Sequence, residues 1–443
     1  MKAYDEYKAT NYDWLSQIPA HWDKKTIRAI TSVSDKRCGS NTDLELLSVY
    51  REYGVIKKNS RDDNHNVESE DLSNYKYVQK GNLVMNKMKM WQGSLGISEY
   101  EGIVSPAYIV CKIKSDANSR YLHTLLRSPL FKTFYNRISY GVRVGQWDMR
   151  YDDFKSLNIF LPPRSEQDQI VRFLDHKVSM INDYIKAKKK QIELLKEQKQ
   201  AIINQAVTKY SHGWEEKPLK YWVKSNLLSL SSNMSPDYKM DYLDISSIGH
   251  GFVKQKPVHY TFADAPSRAR RIVKYGDTII SNVRTYLRSV CFINQEIEHC
   301  IVSTGFSVLT PNKNMVLPEL LSFALTTDQF VDEVIRNSVG VSYPAINDSK
   351  LMSLNIALPK TLEEQQCLYT SVKEQFSTFD AVLQNLQKEI SLIQEYRTRL
   401  ISDVVTGKMD VRGVKVPEGA NMEAKGVIES AENDVEIDSE GEL

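Results

Sequence analysis

Two short segments of the chain combine cationic, aromatic and amide side chains, the groups that contact nucleic acids. The first is 86–92, Asn-Lys-Met-Lys-Met-Trp-Gln, and the second is 281–288, Ser-Asn-Val-Arg-Thr-Tyr-Leu-Arg. Arginine can bond both O6 and N7 of guanine, glutamine or asparagine can bond adenine, and lysine neutralises phosphate. Any one such residue is equally typical of a solvated surface. The recurrence of the pattern in both segments is what favours a nucleic-acid interface.

Three more segments carry the same side-chain types. They are the glycine-rich segment 141–150, the segment 340–347, and the basic run 267–271, Ser-Arg-Ala-Arg-Arg. Together the five segments supply the predicted DNA contacts, which are Lys87, Lys89, Trp91, Gln92, Arg143, Arg150, Arg268, Arg270, Arg284, Tyr286, Arg288 and Asn347.

These segments occur in pairs because the chain is an internal repeat. Ser-Leu-Asn-Ile stands at 156–159 and again at 353–356, an offset of 197 residues, and flanking residues match in the same order. Trp22 and Trp214 open the two copies and are predicted to be core residues. Solenoid repeats have periods of about 20 to 50 residues, so this much longer period predicts two whole domains of one architecture.

The two copies are not equally similar along their length. The helical parts and the Ser-Leu-Asn-Ile junction match, whereas 38–77 and 227–269 show little similarity. A shared frame with two different surfaces suits a protein that binds two different short DNA sequences.

Each copy has the pattern of a mixed α and β domain. In the first, strands are expected at 46–50, 83–86 and 103–112, followed by a helix at 119–137. In the second, strands are expected at 242–245, 278–282 and 300–309, followed by a helix at 318–336. The predicted fold class is therefore α+β.

A long helix closes each copy. After Pro163, apolar residues follow the 3,4 spacing of a coiled coil over 171–206, a length of about 54 Å at 1.5 Å per residue. The second copy keeps the same register. The predicted seam consists of Val178, Ile181, Ile185, Ile192, Leu195, Phe376, Phe379, Leu383, Leu386, Ile390 and Ile393.

Two cations in this pattern predict how the helices pair. A parallel pair would place Lys199 against Arg397 within the seam, at a cost on the order of a kcal/mol or more. An antiparallel pair puts them at opposite ends and is therefore predicted. The alternative is that each helix packs only on its own domain, but a narrow seam sustained over five heptads favours the coiled coil.

The charge of the chain is uneven. The net charge is +2, yet the segment 418–443 holds nine acidic residues and one lysine, which leaves a basic body suited to a polyanion. A segment this acidic and without aromatic residues is expected to be a disordered tail, with the boundary set at 409.

Motifs of catalysis are missing from the sequence. It has no phosphate-binding or dinucleotide-binding glycine loop, no Asn/Asp-Pro-Pro-Tyr/Phe tetrad of amino-methyltransferases and no His-Glu-x-x-His. The five cysteines lack Cys-x-x-Cys spacing, which favours free thiols over zinc sites or disulfides. No apolar run could span a bilayer and the N-terminus lacks an apolar signal region, so a cytoplasmic protein is expected.

The chain resembles the specificity subunit of type I restriction-modification enzymes. The resemblance covers 13–408 and rests on Trp-Leu-Ser-Gln-Ile-Pro-Ala-His-Trp at 14–22 and on the helix starts Leu-Pro-Pro-Arg-Ser-Glu-Gln at 161–167 and Leu-Pro-Lys-Thr-Leu-Glu-Glu-Gln at 358–365. Lys360 departs from the Pro163 of the first copy.

The resemblance implies two pseudo-two-fold related target recognition domains, at 1–163 and 210–360, separated by antiparallel coiled-coil helices at 164–209 and 361–408. It implies a non-catalytic chain that binds one half of a bipartite double-stranded DNA site with each domain. Two methyltransferase subunits, and in the full complex two ATP-dependent restriction subunits, would be its partners. S-adenosylmethionine, ATP and Mg²⁺ would belong to those partners, with no cofactor or metal in this chain.

Two other classes of function stay open on sequence alone. One is a coiled-coil adaptor with two protein-binding domains, which would not bind DNA. The other is an enzyme with an unrecognised site, which would transfer methyl groups or cleave DNA by itself.

Overall fold

The computed structural model describes residues 2–12, 15–39, 44–51, 53–60, 71–114, 116–141, 147–208, 213–294 and 299–417. It divides into two compact units. The first contains the residues up to Lys188 together with those from Lys388 onward, and the second is Lys189–Gln387. These units differ from the predicted contiguous domains because each long helix contributes one half to each unit.

The first unit is a mixed α and β domain. Its strands are β1 (Tyr7–Tyr12), β2 (Leu15–Pro19), β3 (Asp23–Thr26), β4 (Thr31–Val33), β5 (Leu47–Tyr50), β6 (Gly54–Lys57), β7 (Lys76–Val78), β8 (Leu83–Asn86), β9 (Leu95–Ile97), β10 (Gly102–Val104), β11 (Tyr108–Ile113) and β12 (Asn158–Leu161). Its helices are α1 (Ile27–Ile30), α2 (Ser119–Arg127), α3 (Pro129–Ile138), α4 (Tyr151–Ser156) and the first half of α5 (Arg164–Thr208).

The second unit is also a mixed α and β domain. Its strands are β13 (Trp214–Pro218), β14 (Val223–Ser225), β15 (Lys239–Leu243), β16 (Val258–Thr261), β17 (Ala269–Ile272), β18 (Thr278–Ser281), β19 (Val290–Phe292), β20 (Cys300–Ser303), β21 (Phe306–Pro311) and β22 (Asn355–Pro359). Its helices are α6 (Pro318–Thr326), α7 (Asp328–Arg336), α8 (Asp348–Leu351) and the first half of α9 (Leu362–Val405).

Equivalent sheets occur in both units. The order β4-β11-β8-β9 in the first matches β14-β21-β18-β19 in the second. In the central strand β18, Ile279 and Ile280 enter two different apolar clusters, as expected where successive side chains point to opposite faces of a sheet. The second unit adds the sheet β16-β15-β20-β17.

The first unit builds the counterpart of that added sheet from smaller pieces. The two-stranded sheets β5-β6 and β7-β10 are joined by a parallel bridge between Leu46 and Ile103, where the second unit pairs Tyr242 with Ile301 in parallel. Strands β5 to β7 and β15 to β16 fall in the two stretches that showed little sequence similarity. The strand order is therefore kept where the side chains have diverged.

Four predicted elements were too long. The predicted strands 103–112 and 300–309 are each two strands, β10 with β11 and β20 with β21. The predicted helix 119–137 breaks at Ser128, because proline at 129 disfavours the helical conformation of the preceding residue. The predicted helix 318–336 breaks at Thr327, whose side chain accepts a hydrogen bond from Phe330 N and so begins α7.

A buried glutamine at the start of each long helix forms hydrogen bonds with the adjoining domain. The side chain of Gln167 donates to the carbonyl of Pro162 (2.8 Å) and accepts from Asn118 N (2.8 Å). Gln365 makes the equivalent bonds to Pro359 O (2.9 Å) and from Leu317 N (2.8 Å). The equivalence of these two residues gives an offset of 198 at the helix starts, one more than the 197 of the Ser-Leu-Asn-Ile segments, so Glu166 corresponds to Glu364.

The extra residue changes how the second helix begins. Thr361 and Glu364 exchange hydrogen bonds between side chain and backbone, each at 3.2 Å, which is a capping box. The first helix instead follows Pro163, whose carbonyl accepts the first helical N–H bonds. Lys360 therefore belongs to a different helix start and does not alter the fold that the two units share.

The two long helices run antiparallel within each unit, as predicted. In the first unit Asn182 bonds Arg397 (2.7 Å) and Lys188 pairs with Glu389 (3.1 Å), so residue numbers rise on one helix as they fall on the other. In the second unit Lys199 pairs with Asp380 at 2.5 Å. The two cations that would have met in a parallel pair thus each have a polar partner on the opposing helix.

The predicted seam residues are all buried or half-buried. Val178, Ile181, Ile185 and Ile390 are buried in the first unit and Phe376 and Leu386 in the second, with Ile192, Leu195, Phe379, Leu383 and Ile393 half-buried. Toward the domain the helices become core elements, since Ile203 and Val372 join the apolar cluster of the second domain. The paired helix and the core helix are therefore two portions of the same element.

The described chain continues past the end of α9. Asp410 N donates to Lys2 O (2.9 Å), Val411 is fully buried, and Gln169 donates to the carbonyl of Val414 (2.7 Å). Residues 410–414 therefore pack on the first unit, so the tail boundary predicted at 409 was wrong. The acidic segment itself lies outside the described residues.

Among the described helices, none combines the length and the apolar character that crossing a membrane requires.

Candidate nucleic-acid interface

In the second unit, the candidate site begins where strand β18 ends. The chain turns tightly over Thr285–Leu287, with Arg284 and Arg288 in the left-handed conformation at φ 52° and 55°. Thr285 is buried and its hydroxyl bonds Ser338 Oγ at 2.8 Å. The turn is thereby held against the end of α7, and Tyr286 stays about half exposed at 52%.

A hairpin loop stands beside this turn. Val339 and Ala345 exchange backbone hydrogen bonds of 2.8 and 2.9 Å, and Ile346 N donates to Asn282 O at 2.9 Å. The Arg284 guanidinium lies 4.8 Å from the centre of the Tyr343 ring, within range of a cation–π contact. The loop and the turn therefore form one surface.

The remaining predicted residues of the second unit have different local roles. Asn347 caps α8 by accepting a hydrogen bond from Lys350 N at 2.7 Å. Arg288 is engaged by two carboxylates, Asp328 and Asp332, the latter at 3.2 Å. Arg288 therefore contributes less free positive charge to this surface than Arg284 does.

The basic run at strand β17 comes close to the same surface through the connection between β20 and β21. Thr304 N donates to Arg268 O at 2.8 Å, and Asn282 N donates to the carbonyl of the next residue, Gly305, at 2.7 Å. Arg268 is exposed. Arg270 is half-buried, and its guanidinium lies 4.7 Å from the Phe262 ring.

In the first unit, the equivalent turn is Lys87–Gln92. Lys87 pairs with Asp148 at 2.9 Å, while Lys89 is exposed. Trp91 packs edge-to-face on Trp147 with ring centres 5.2 Å apart, and Gln92 is half-buried. This turn therefore combines an exposed cation with a fixed aromatic pair.

The loop of the first unit closes with the same backbone pattern. Tyr140 and Asp148 exchange backbone hydrogen bonds of 3.1 and 3.0 Å, and Met149 N donates to Lys87 O at 3.3 Å. Arg150 stands at the N-cap of α4 with its guanidinium 4.9 Å from the Tyr140 ring. Arg143 lies outside the described residues.

The two sites are therefore built from the same four parts. These are a strand end, a tight turn, a loop closed by backbone hydrogen bonds and the N-cap of a short helix. Lys89 takes the place of Arg284, and Arg150 takes the place of Asn347. Gly93, at φ 89°, takes the place of Arg288. Sequence matching found the segments, but only the backbone hydrogen bonds show which individual residues correspond.

Comparison with known proteins gives this geometry its context. A family model described as the type I restriction modification DNA specificity domain matches residues 19–194 and again residues 214–392. Each match includes one of the two sites, and together they cover well over half of the chain. The chain belongs to this family.

Individual relatives agree with the family model. The specificity subunit of the HindI type I restriction enzyme of Haemophilus influenzae is 28% identical over 154 residues, which is 33% of this chain and 34% of that protein. This alignment thus spans about a third of the relative's length. The MjaVIII specificity subunit of Methanocaldococcus jannaschii is 22% identical over 357 residues, covering 73% of this chain and 79% of that protein.

A solved structure shares the fold. It comes from work on the complex assembly and conformational transition of the type I R-M system, and it superposes with a TM-score of 0.57 at 14% identity over 88% of this chain and 99% of that chain. The predicted fold class and the predicted family are confirmed. As a member of the type I specificity family, the chain has DNA sequence recognition as its function.

Sequence reasoning missed the side chains at the loop tip of the second unit. Val339, Val341 and Tyr343 are 81%, 102% and 65% exposed. The two valines were not chosen because valine carries no hydrogen-bonding group for a base edge. The available signal was the pair Gly-Val, which stands at the same place in both copies.

Three cysteines of the described residues, Cys111, Cys291 and Cys300, are buried. Burial raises the pKa of Cys291 and of Cys300 to about 12 and that of Cys111 to about 11, so these sulfurs stay protonated and weakly nucleophilic. Within the described ranges, no three His, Cys, Asp or Glu side chains are grouped closely enough to hold a metal ion.

Proposed function

We propose that this chain recognises a bipartite DNA site, with each domain binding one half-site, and that it directs methylation there without being an enzyme itself. One observation carries the proposal. The same turn, loop and helix cap are built once in each unit but carry different side chains, Lys89 and Arg150 in one, Arg284 and Asn347 in the other. Two sites of one construction and different chemistry suit two different short sequences.

Recognition by these residues follows from their hydrogen-bonding groups. An arginine such as Arg284 can bond guanine through two parallel N–H groups, and an asparagine such as Asn347 can bond adenine. The exposed Lys89 suits a phosphate, which contributes affinity and salt dependence without sequence information. The rings of Tyr343 and Tyr140 lie against Arg284 and Arg150 and restrict where these two cations can lie.

The paired helices supply the surface for the protein partners. In the first unit, Met180, Tyr184, Leu392 and Tyr396 are between 42% and 58% exposed and line one shared depression. Clustered apolar side chains on an exposed helix face are typical of a protein interface. In the second unit, the equivalent positions of Tyr184 and Leu392 are Val382 and Leu194, which are also exposed.

These two helix faces are proposed to bind two copies of a methyltransferase subunit, one for each unit. Two equivalent faces on one chain can recruit two copies of one partner. Two ATP-dependent restriction subunits would complete the assembly. S-adenosylmethionine, ATP and Mg²⁺ would then be bound by those partner subunits, and this chain would select the DNA target.

The experiment that tests this function is a map of methylated adenines in the host genome, with and without this gene. A two-part motif that disappears on deletion is the expected result, and a gel-shift of the purified complex on that motif should show sequence-specific binding. A gene deletion that leaves every methylated motif intact, with no DNA binding by the complex, would support a protein adaptor instead. Methyl transfer by the isolated chain would show it to be an enzyme.

A further inference from the structure

The loop tip of the second unit presents apolar side chains to solvent on a rigid base. Its base is closed by the two hydrogen bonds between Val339 and Ala345, and Ala345 also bridges Val283 of the neighbouring turn. Gly340 has a φ of 120°, which lets the chain leave the base sharply. The segment is thus anchored on both sides rather than free to fold back onto the domain.

Three of the residues at or next to the tip expose side chains that proteins usually bury. Val341 is fully exposed, Val339 is 81% exposed and Tyr343 is 65% exposed. Single exposed apolar residues are ordinary, but adjacent ones on one projecting loop indicate a contact with another molecule.

The charge next to the tip favours DNA as that molecule. Arg284 is exposed and stacks on Tyr343, so a cation stands at the base of the apolar tip. Arg284 also holds a left-handed backbone conformation, which costs free energy for a residue with a side chain and is found at binding sites. An apolar side chain flanked by a cation matches a base step flanked by phosphates.

We infer that Val341 inserts into the base stack of the DNA half-site bound by the second domain, with Arg284 bonding the DNA beside it. Proteins that insert apolar side chains between base pairs partly unstack them and kink the duplex. Sequence preference would then come from how easily the step unstacks, in addition to hydrogen bonds with base edges. This inference rests on the proposed function and adds a mode of recognition to it.

The first domain carries the same Gly-Val pair at 141–142, and Val142 lies outside the described residues. There the bridged pair at the loop base is Tyr140 and Asp148, and Trp147 packs on Trp91. Asp148, which stands where the second domain has Ala345, is paired with Lys87. The insertion is assigned to the second domain, whose loop tip lies within the described residues.

The test uses the complex of the full chain with its methyltransferase partner and a duplex carrying the mapped motif. The adenine analogue 2-aminopurine, whose fluorescence rises when it is unstacked, is placed at one position after another across both half-sites. Wild-type complex should raise the fluorescence several-fold at one step of one half-site. Val341→Ser should abolish this rise and weaken binding about tenfold, whereas Val341→Leu should keep both.

Two controls isolate the effect. Val258→Ser removes another valine of the second unit that is 50% exposed, and it should leave the fluorescence rise unchanged. The methyltransferase also extrudes its target adenine from the duplex. A 2-aminopurine placed at that position should therefore be fluorescent with any residue at 341.

Specific binding without any Val341-dependent rise would overturn the insertion and leave the proposed function intact. A Val341→Ser chain that binds DNA normally but loses the methyltransferase on co-purification would also overturn it, because the tip would then be a protein contact. If wild-type complex binds no motif at all, the proposed function itself fails.

Discussion

In the first unit a buried glutamate, Glu166, accepts hydrogen bonds from Tyr4 (2.7 Å), Trp22 (3.0 Å) and His21 (2.7 Å). In the second unit the equivalent Glu364 is exposed and caps only its own helix. The second unit fastens its domain elsewhere, through Asn204 and Asp328, which exchange hydrogen bonds between α5 and α7. The two units thus keep the same strand order but use different contacts to hold the domain on its long helix.

Some contacts between domain and helix are common to both units, and others are found in only one. Gln167 and Gln365 make the same bonds in both units, so the contact between domain and helix start belongs to the shared frame. The Glu166 contacts and the Asn204 contacts occur in one unit each. Substitutions at matched positions should therefore have unequal effects.

The largest difference is expected at the helix starts. Glu166→Ala should lower the free energy of unfolding of the first unit by about 3 kcal/mol, because it leaves the buried Tyr4 hydroxyl and Trp22 N–H without their acceptor. Glu364→Ala should cost the second unit only about 1 kcal/mol, the usual value of a lost helix cap. Denaturant unfolding with hydrogen exchange of each unit measures both, and equal costs would break the comparison.

The second difference concerns DNA affinity. Arg284→Ala should cost about 1 to 3 kcal/mol and relax the preference at one base position, since arginine discriminates among base edges. Lys89→Ala should weaken binding to all sequences alike and reduce the slope of affinity against salt concentration by about one. Titrations of both variants at several salt concentrations decide this. Unchanged affinity in both variants would show that these turns do not contact DNA.

The third difference is a pH dependence that His123 gives to the first unit. Burial, with Arg127 and Arg120 nearby, lowers the pKa of His123 to about 3, and Ile97 N donates to its Nδ1 at 3.1 Å. The equivalent residue in the second unit is Ser322, which does not titrate.

Because the unfolded histidine has a pKa near 6.5, the unfolded state binds the proton first as pH falls. The contribution of His123 to stability is therefore present above pH 6.5 and should decline by about 1 kcal/mol at pH 5.5. His123→Asn, which keeps an acceptor for Ile97 N, should remove this part of the pH dependence from the first unit. Unfolding measured between pH 7.5 and 5.5 tests it, and an equal decline in both proteins would contradict the assignment.

The smallest difference is expected at the polar contacts of the helix pair. Lys199 pairs with Asp380 in the second unit, where the first has Arg397 on Asn182. Asp380→Asn would place an asparagine opposite the cation in both contacts. It should lower the free energy of unfolding by less than about 1 kcal/mol, and by less still at high salt, because the pair is partly exposed. Asn182→Ala should instead show a cost that does not depend on salt. The same salt response in both variants would mean that the two contacts do not differ in kind.

Much of the frame could be predicted from the sequence because repeats and periodicity are local signals. The offset of 197 residues predicted two domains, and the 3,4 spacing with Lys199 and Arg397 predicted the direction of helix pairing. Element boundaries were less predictable. The breaks at Ser128 and Thr327 depend on a proline and a cap, which a continuous apolar pattern conceals.

The site was predictable as segments but not as individual contacts. Clusters of cations and aromatics pointed to both turns, yet the pairing of Arg288 with Asp328 and Asp332 is formed by residues 40 or more positions away. The exposure of Val341 could not be predicted either, since valine is usually buried and only the bridged loop base holds it in solvent.

The sequence by itself determined the family, the twofold repeat, the α+β class and the antiparallel helices, because these follow from residue order and from like charges in one seam. The tertiary structure alone decided which residues correspond between the copies, which cations are engaged by carboxylates and which apolar side chains stay in solvent. The physical reason is distance along the chain. Hydrogen bonds such as Trp22 to Glu166 or Gln169 to Val414 join residues far apart in sequence, and only folding shows which groups meet.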